Sequence, residues 1–369
     1  MLYSLKILIG QPVRLALTIC GAALCMILML FLLGIYKGVA DGSVDYIREN
    51  KADLWILQNN TTNILRGTSI LTSLQGEIIK KCNSVKTVSP VLLLLTNINN
   101  GKENRTIFLA GYNPSLELGG PPKILKGRNI KEDNEIVLDQ SFAVKNNFNV
   151  GNKVLLHNDS LTIVGISSGT NAFVIQYAFT TLNEAQSLIG FPNLVTCYLV
   201  KLKEGSNEVT VSQTIKKRLN GTAVYSHEEF LNNNVKEMES GFLPILYAIA
   251  LLGAIVLTTV LSLILSINIL EKKKDFAVLK MLGAPKSFLP ALVVEQSFLI
   301  SIFSGIASAV FFFPLVELIG KLSPEVCTKT TLAQIIIVQA AGLIMGLISS
   351  IISIRRIRKI YPLEVFYDR

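Results

Sequence analysis

Four long apolar runs constrain this chain more than anything else in it. They are roughly Leu15–Tyr36, Leu243–Leu270, Leu289–Phe313 and Leu332–Ile354. Each exceeds the roughly 20 apolar residues needed to cross a hydrocarbon core as an α-helix. The first, second and fourth carry no charged side chain, and the third carries one, Glu295, near its start. A buried core helix is the competing reading of any one such run; four together favour a membrane protein. The mean hydropathy of +0.48, with only 17% charged residues, agrees. The first run is too long for the core of a signal peptide, and no small-x-small cleavage site follows it.

The first two runs are separated by about 200 mostly polar residues, enough for a folded domain with its own core. Acidic and basic residues nearly balance there, so most of the chain's net charge of +9 lies elsewhere. Lys272, Lys273, Lys274, Lys280 and Lys286 sit in one loop against Glu271 and Asp275. Arg355, Arg356, Arg358, Lys359 and Arg369 follow the fourth run, and Lys6 and Arg14 precede the first. The positive-inside rule then places both termini and the Glu271 loop in the cytoplasm. The expected order is a cytoplasmic amphipathic segment (1–14), a span (15–36), an extracytoplasmic domain (37–241) and a second span (243–270). A cytoplasmic loop (271–288), a third span (289–313), a short outer loop (314–331), a fourth span (332–354) and a basic cytoplasmic tail (355–369) complete it. Basic residues gathered beside spans point to membrane lipids, and no nucleic-acid partner is expected.

The pattern predicts a mixed α and β domain between the spans. "ADLWILQ" (Ala52–Gln58) alternates as a strand, Thr72–Val85 has helical spacing, and Thr87–Ile98 reads as a strand, a βαβ-like unit. The stretch from Arg105 to about Gly169 is rich in strands and turns. A second strand–helix–strand then follows, through Thr196–Leu202, "EVTVSQTIKKRL" and "GTAVYS". A βαβ architecture interrupted by a small β-rich insertion is the expectation. Gly119-Gly120-Pro121-Pro122 reads as a tight turn, because its prolines remove the amide donors a phosphate cradle needs. Cys82 and Cys197 fall where oxidation is possible, with nothing in the sequence to pair them.

No GxSxG, HExxH or kinase signature is present, and "GAPKS" at 283–287 lacks the spacing of a phosphate-binding loop. With two histidines and no CxxC, no metal site is expected. What stands out is "EKKKDFAVLKMLGAPKS", Glu271–Ser287, between the second and third spans. Phe276, Leu279 and Leu282, with Val278 and Met281 on a neighbouring stripe, recur near helical spacing. Gly283 is placed to end that helix and Pro285 prevents its continuation. Such a helix could be a knob for a partner's socket, or could lie on an anionic membrane held by its lysines.

"EKKKDFAVLKMLGAPKSFLPALVVEQSFL" resembles the signature of FtsX-like permeases, the MacB/LolC/DevC group of ABC transporter membrane subunits. "RRIRKIYPLEVF" (Arg355–Phe366) resembles that family's closing tail, and the order of one span, a large domain and three spans matches its layout. The resemblance implies four transmembrane helices with a large α+β extracytoplasmic domain, made of porter-like βαβ halves around a small β-rich subdomain. It implies a non-catalytic permease in the bacterial inner membrane, working with a second permease copy and a cytoplasmic ABC ATPase dimer that binds the ATP. No cofactor is expected on this chain. The coupling helix would present Asp275, Phe276, Val278, Leu279, Met281, Leu282, Gly283 and Ala284 to the ATPase, and Glu295 would support it from the third span. ATP hydrolysis would then move the outer domain, a process called mechanotransmission, to export or extract a substrate. A periplasmic adaptor and an outer-membrane channel are further partners the resemblance allows. Its alternatives are a transmitter that activates an outer partner, or a membrane-anchored structural or sensor protein without an ATPase. Gly342-x-x-x-Gly346 permits close helix approach in the fourth span, within one chain or between two.

Overall fold

The computed structural model describes residues 9–10, 12–99, 104–157, 159–171, 175–271, 278, 281–283, 285, 287–326 and 328–357. The elements run α1 (Pro12–Glu49), β1 (Leu54–Gln58), β2 (Leu71–Thr72), α2 (Ser73–Lys80), β3 (Val85–Asn99), β4 (Asn104–Tyr112), β5 (Lys123–Gly127) and β6 (Glu135–Asp139). Next come α3 (Gln140–Lys145), β7 (Lys153–Leu156), β8 (Asp159–Ser168), β9 (Tyr177–Thr181), α4 (Leu182–Ile189), β10 (Leu194–Val195) and β11 (Cys197–Leu202). The last are α5 (Glu208–Arg218), β12 (Thr222–Ser226), α6 (His227–Glu271), α7 (Phe288–Leu322) and α8 (Leu332–Ile357). Among the described residues, α1, α6, α7 and α8 are long and apolar enough to cross a membrane. The chain forms two compact units, one of membrane helices and one made of Gly38–Phe242 with Gly320–Cys327.

The second unit, the inter-span domain, is built on one mixed sheet in the order β12-β1-β11-β3-β4-β9-β6-β8-β5, with β7 on β3 and β8. β1 runs antiparallel to both β11 and β12, and β11 antiparallel to β3. So β1-α2-β3 clasps β11, and β11-α5-β12 clasps β1: two split βαβ units interlock. The strand alternation read in Ala52–Gln58 is only half the pattern, because Leu54, Trp55, Ile56 and Leu57 are all buried. A central strand covered on both faces needs an unbroken apolar run. Trp55 and Leu57 enter one core with Tyr112, Tyr177 and Phe230, while Leu54 and Ile56 face a second with Ile79, Val200 and Ile215.

The β-rich insertion is continuous with the rest of the sheet. β3 pairs through Val85–Val91 with β11 and through Leu92–Asn99 with β4, so one long strand belongs to both regions. The strand-rich reading of 105–169 misses α3, a short helix capped by Asp139, whose carboxylate accepts from the Ser141 amide at 2.8 Å. The Gly119 turn is structural: its amide donates to Asn50 Oδ1 at 2.7 Å, and its carbonyl accepts from the Tyr46 hydroxyl at 2.9 Å. Its φ of 95° suits glycine, and a Cβ there would stand 2.6 Å from Val91. Cys82 and Cys197 are free buried thiols in separate clusters.

The spans expected at 15–36 and 243–270 are parts of longer helices. α1 continues to Glu49, placing Tyr46 and Ile47 in the domain core, and α6 starts at His227, placing Phe230 in the same core. Neither extension is apolar throughout, so hydropathy alone ends each span early. In the membrane-helix unit, Ala22, Met26 and Leu30 of α1 pack with Leu257 and Leu261 of α6, Leu299 and Ile300 of α7 and Val338 of α8.

Candidate coupling site

α6 ends at Glu271 and α7 begins at Phe288, so the charged loop is held between two spans. Asp275, Phe276, Leu279 and Ala284 lie outside the described residues. Of those described, the Leu282 amide donates to the Val278 carbonyl at 3.0 Å, the i to i−4 bond of an α-helical turn. The turn stops at Gly283, whose φ is 90°, as its sequence position suggests. A new turn starts beyond it: the Phe288 amide donates to the Pro285 carbonyl at 2.9 Å, and the Ala291 amide to that of Ser287 at 2.9 Å.

The turn presents apolar side chains. Val278 is 42% exposed, Met281 61% and Leu282 79%. Three large apolar residues on one short exposed turn amount to a surface needing cover from lipid or from a partner. Arg14, near the start of α1, forms a two-pronged ion pair with Glu271 at the end of α6. The sequence reading treats Arg14 as topology only; its planar fork matches a carboxylate in a way a lysine would not. Glu295 is half-buried in the second turn of α7.

Gly342 and Gly346 are buried within the chain. A Cβ on Gly342 would come within 1.8 Å of Met26 Cε, and one on Gly346 within 2.4 Å of Ser301 Oγ. Ser297 Oγ donates to the Gly346 carbonyl at 2.6 Å, and Ser301 Oγ to that of Gly342 at 3.3 Å. Gly346 therefore admits serines of α7 to the α8 backbone, and Gly342 makes room for Met26 of α1, the close contacts that small residues allow in membranes. The four-residue repeat of Ser297 and Ser301 opposite Gly342 and Gly346 is the signal that sequence reading passes over.

The inter-span domain carries its own electrostatic features. Arg128, with the amides of Lys131 and Glu132, holds the Glu135 carboxyl down to about 2. Burial pushes the Asp139 carboxyl above its usual range, although Thr170 and the Ser141 amide donate to it. A cavity of about 340 Å³ is lined by Arg105, Phe142, Lys145, Ile175, Gln176 and Glu325, with Lys145 already committed to an ion pair with Glu325. Among the described residues, no three His, Cys, Asp or Glu side chains converge as metal ligands would.

Comparison with known proteins bears on both units. Residues 15–218 match the family described as MacB-like periplasmic core domain, and residues 244–362 the FtsX-like permease C-terminal family. The chain is 22% identical over 348 residues to HrtB of Staphylococcus haemolyticus (strain JCSC1435), a permease protein named for a hemin transport system; the match covers 91% of each chain. It is 20% identical over 357 residues to the uncharacterized ABC transporter permease Rv0072 of Mycobacterium tuberculosis (strain H37Rv), covering 96% of this chain and 95% of that one. Among solved structures, the periplasmic region of MacB from Actinobacillus actinomycetemcomitans aligns with a TM-score of 0.40 at 16% identity, covering 49% of this chain and 92% of that one. With the first family matched over more than half of the chain and the second over residues 244–362, this multi-pass membrane protein belongs to the MacB/FtsX-type ABC transporter permeases.

Proposed function

We propose that the chain is a permease that couples a separate cytoplasmic ABC ATPase to movement of its inter-span domain, which faces outward. The observation that carries this reading is the exposed turn at Val278–Gly283. It lies between two spans, in the chain's densest lysine cluster, and ends abruptly at Gly283. Met281 and Leu282, with Phe276 and Leu279, are the anchors for a socket on the ATPase, and Glu295 supports the turn from α7. The ATP and its chemistry belong to the partner. Both termini lie in the cytoplasm, as the basic tail and Arg14 favour. Two copies of the chain pair with two ATPases, so that each nucleotide-driven closure is felt by a pair of outer domains. An adaptor and an outer channel join where the cell has two membranes.

Affinity purification of the full chain, with its companions identified by mass spectrometry, tests the reading. Replacing a buried apolar anchor should cost about 2 kcal/mol or more of association, roughly thirtyfold. Met281→Asp, Leu282→Asp and Leu279→Asp should each lose the ATPase while inserting normally, since no span is altered. If the turn instead rests on lipid, neutralising Lys272, Lys273 and Lys274 should matter more, at about 1 kcal/mol per charge. Aspartate variants that still retain and stimulate the ATPase would sink the coupling role.

A further inference from the structure

Between α7 and α8 the chain makes a short connection, and part of it folds as a piece of the inter-span domain: Gly320–Cys327 belongs to that unit. Glu325 ties it there. Its carboxylate takes an ion pair from Lys145, the last residue of α3. Its backbone carbonyl accepts from Asn171 Nδ2 at 3.1 Å. The same Asn171 amide group donates to Ser141 Oγ at 3.0 Å, in the first turn of α3. Asn171 Oδ1 accepts from Gln176 Nε2 at 3.1 Å, and both residues are buried. Behind Ser141 stands Asp139, which caps α3 and also accepts from the Thr170 hydroxyl at 2.7 Å. Glu325 is thus gripped at side chain and backbone by groups that one short, capped helix orients.

Two other strands of connection are already plain. α1 enters the domain core through Tyr46, stacked on Tyr177 at 5.0 Å, and α6 enters it through Phe230, stacked on Trp55 at 4.9 Å. α7 and α8 are bound to each other by the Ser297–Gly346 and Ser301–Gly342 bonds. We infer that Glu325, Lys145 and Asn171 form a closed latch that holds the connection after α7 on α3 within the inter-span domain, and that it stays shut during ATPase turnover. Glu325 is then a positioning residue for transmission. Its part in turnover rests on the coupling function proposed above; its closure does not.

The test uses the full chain in lipid nanodiscs with its co-purified ATPase. Amide hydrogen exchange is followed in the 320–326 segment. Glu325→Lys sets two cations together and should raise exchange there about tenfold. The swap Lys145→Glu with Glu325→Lys should return it to within about twofold of wild type. Exchange unmoved by the reversal, or not rescued by the swap, would overturn the latch. A second arm replaces Lys145 and Glu325 by cysteine, with Cys20, Cys25 and Cys327 changed to serine, and joins the new pair with a short bis-maleimide. ATPase turnover should stay within about twofold of the unlinked protein, because a latch that never opens loses nothing when locked. A tenfold or greater stall would mean that it opens in each cycle, and the inference fails. Absence of any ATPase from the wild-type preparation would count against the coupling function alone, and the exchange arm would still decide the latch.

Discussion

In the inter-span domain the covered side chains are large: Trp55, Tyr46, Tyr112, Tyr177, Phe179 and Phe230 are all buried. At the α7–α8 contact they are small: Ser297, Ser301, Gly342 and Gly346, while Phe311, Phe313, Ile336 and Ile337 are exposed on the same helices. Water explains the first arrangement, since removing aromatic surface from it drives the domain together. Lipid explains the second. Where the surroundings are as apolar as the side chains, helices associate through close backbone approach and hydrogen bonds instead. The domain core is therefore held by bulk and the α7–α8 seam by the lack of it, and the two should fail in opposite ways.

The largest expected effect is in the domain. Trp55→Ala empties the space between Phe230 and the neighbouring aromatics and should destabilise the domain by about 3–5 kcal/mol. Thermal unfolding of the full chain, followed by exchange in β1 and β11, measures it. A loss under 1 kcal/mol would mean that bulk is not what holds this core. In the membrane the damaging change is the reverse. Gly346→Leu drives a side chain into Ser297 and Ser301 and should cost about 1–3 kcal/mol, read as eased separation of α7 from α8 in detergent titration. Ser297→Ala, which removes atoms at the same place, should cost only about 0.6 kcal/mol, and equal losses from the two changes would erase the contrast.

Acid gives a difference of similarly small size. The folded-state value of Glu135, about 2, lies below its ordinary 4.5. Its contribution is therefore complete above pH ~4.5 and is lost as pH falls toward ~2. Because Arg128 is partly exposed, that contribution should be about 1 kcal/mol. The domain transition should fall between pH 5 and pH 3 in wild type and fall less in Arg128→Met, while the serine and glycine seam holds steady. A seam that loosened in parallel would tie the two interiors together.

Much of this organisation is legible in the residues. The four spans follow from run length, and the split βαβ halves follow from strand and helix periodicity on either side of the insertion. The stop at Gly283 follows from glycine and proline chemistry. Three things are not legible, each for a physical reason. α3 is too short to show helical periodicity, and only its Asp139 cap could have announced it. The shared strand β3 depends on pairings with β11 and β4 that are distant in sequence. The grip on Glu325 joins residues 180 positions apart, and neither member has a local pattern that singles it out.

Among the described residues α6 is the longest helix, and Pro244 lies within it, two residues past the point where the compact units divide. Proline has no amide hydrogen, so the carbonyl of Ser240 loses its intrahelical donor and the ladder lacks one rung there. The resistance of this rod to bending is lowered over a single turn and kept elsewhere. Bending of α6 is therefore easiest at that one turn, and strain along the helix concentrates there instead of spreading as a bow.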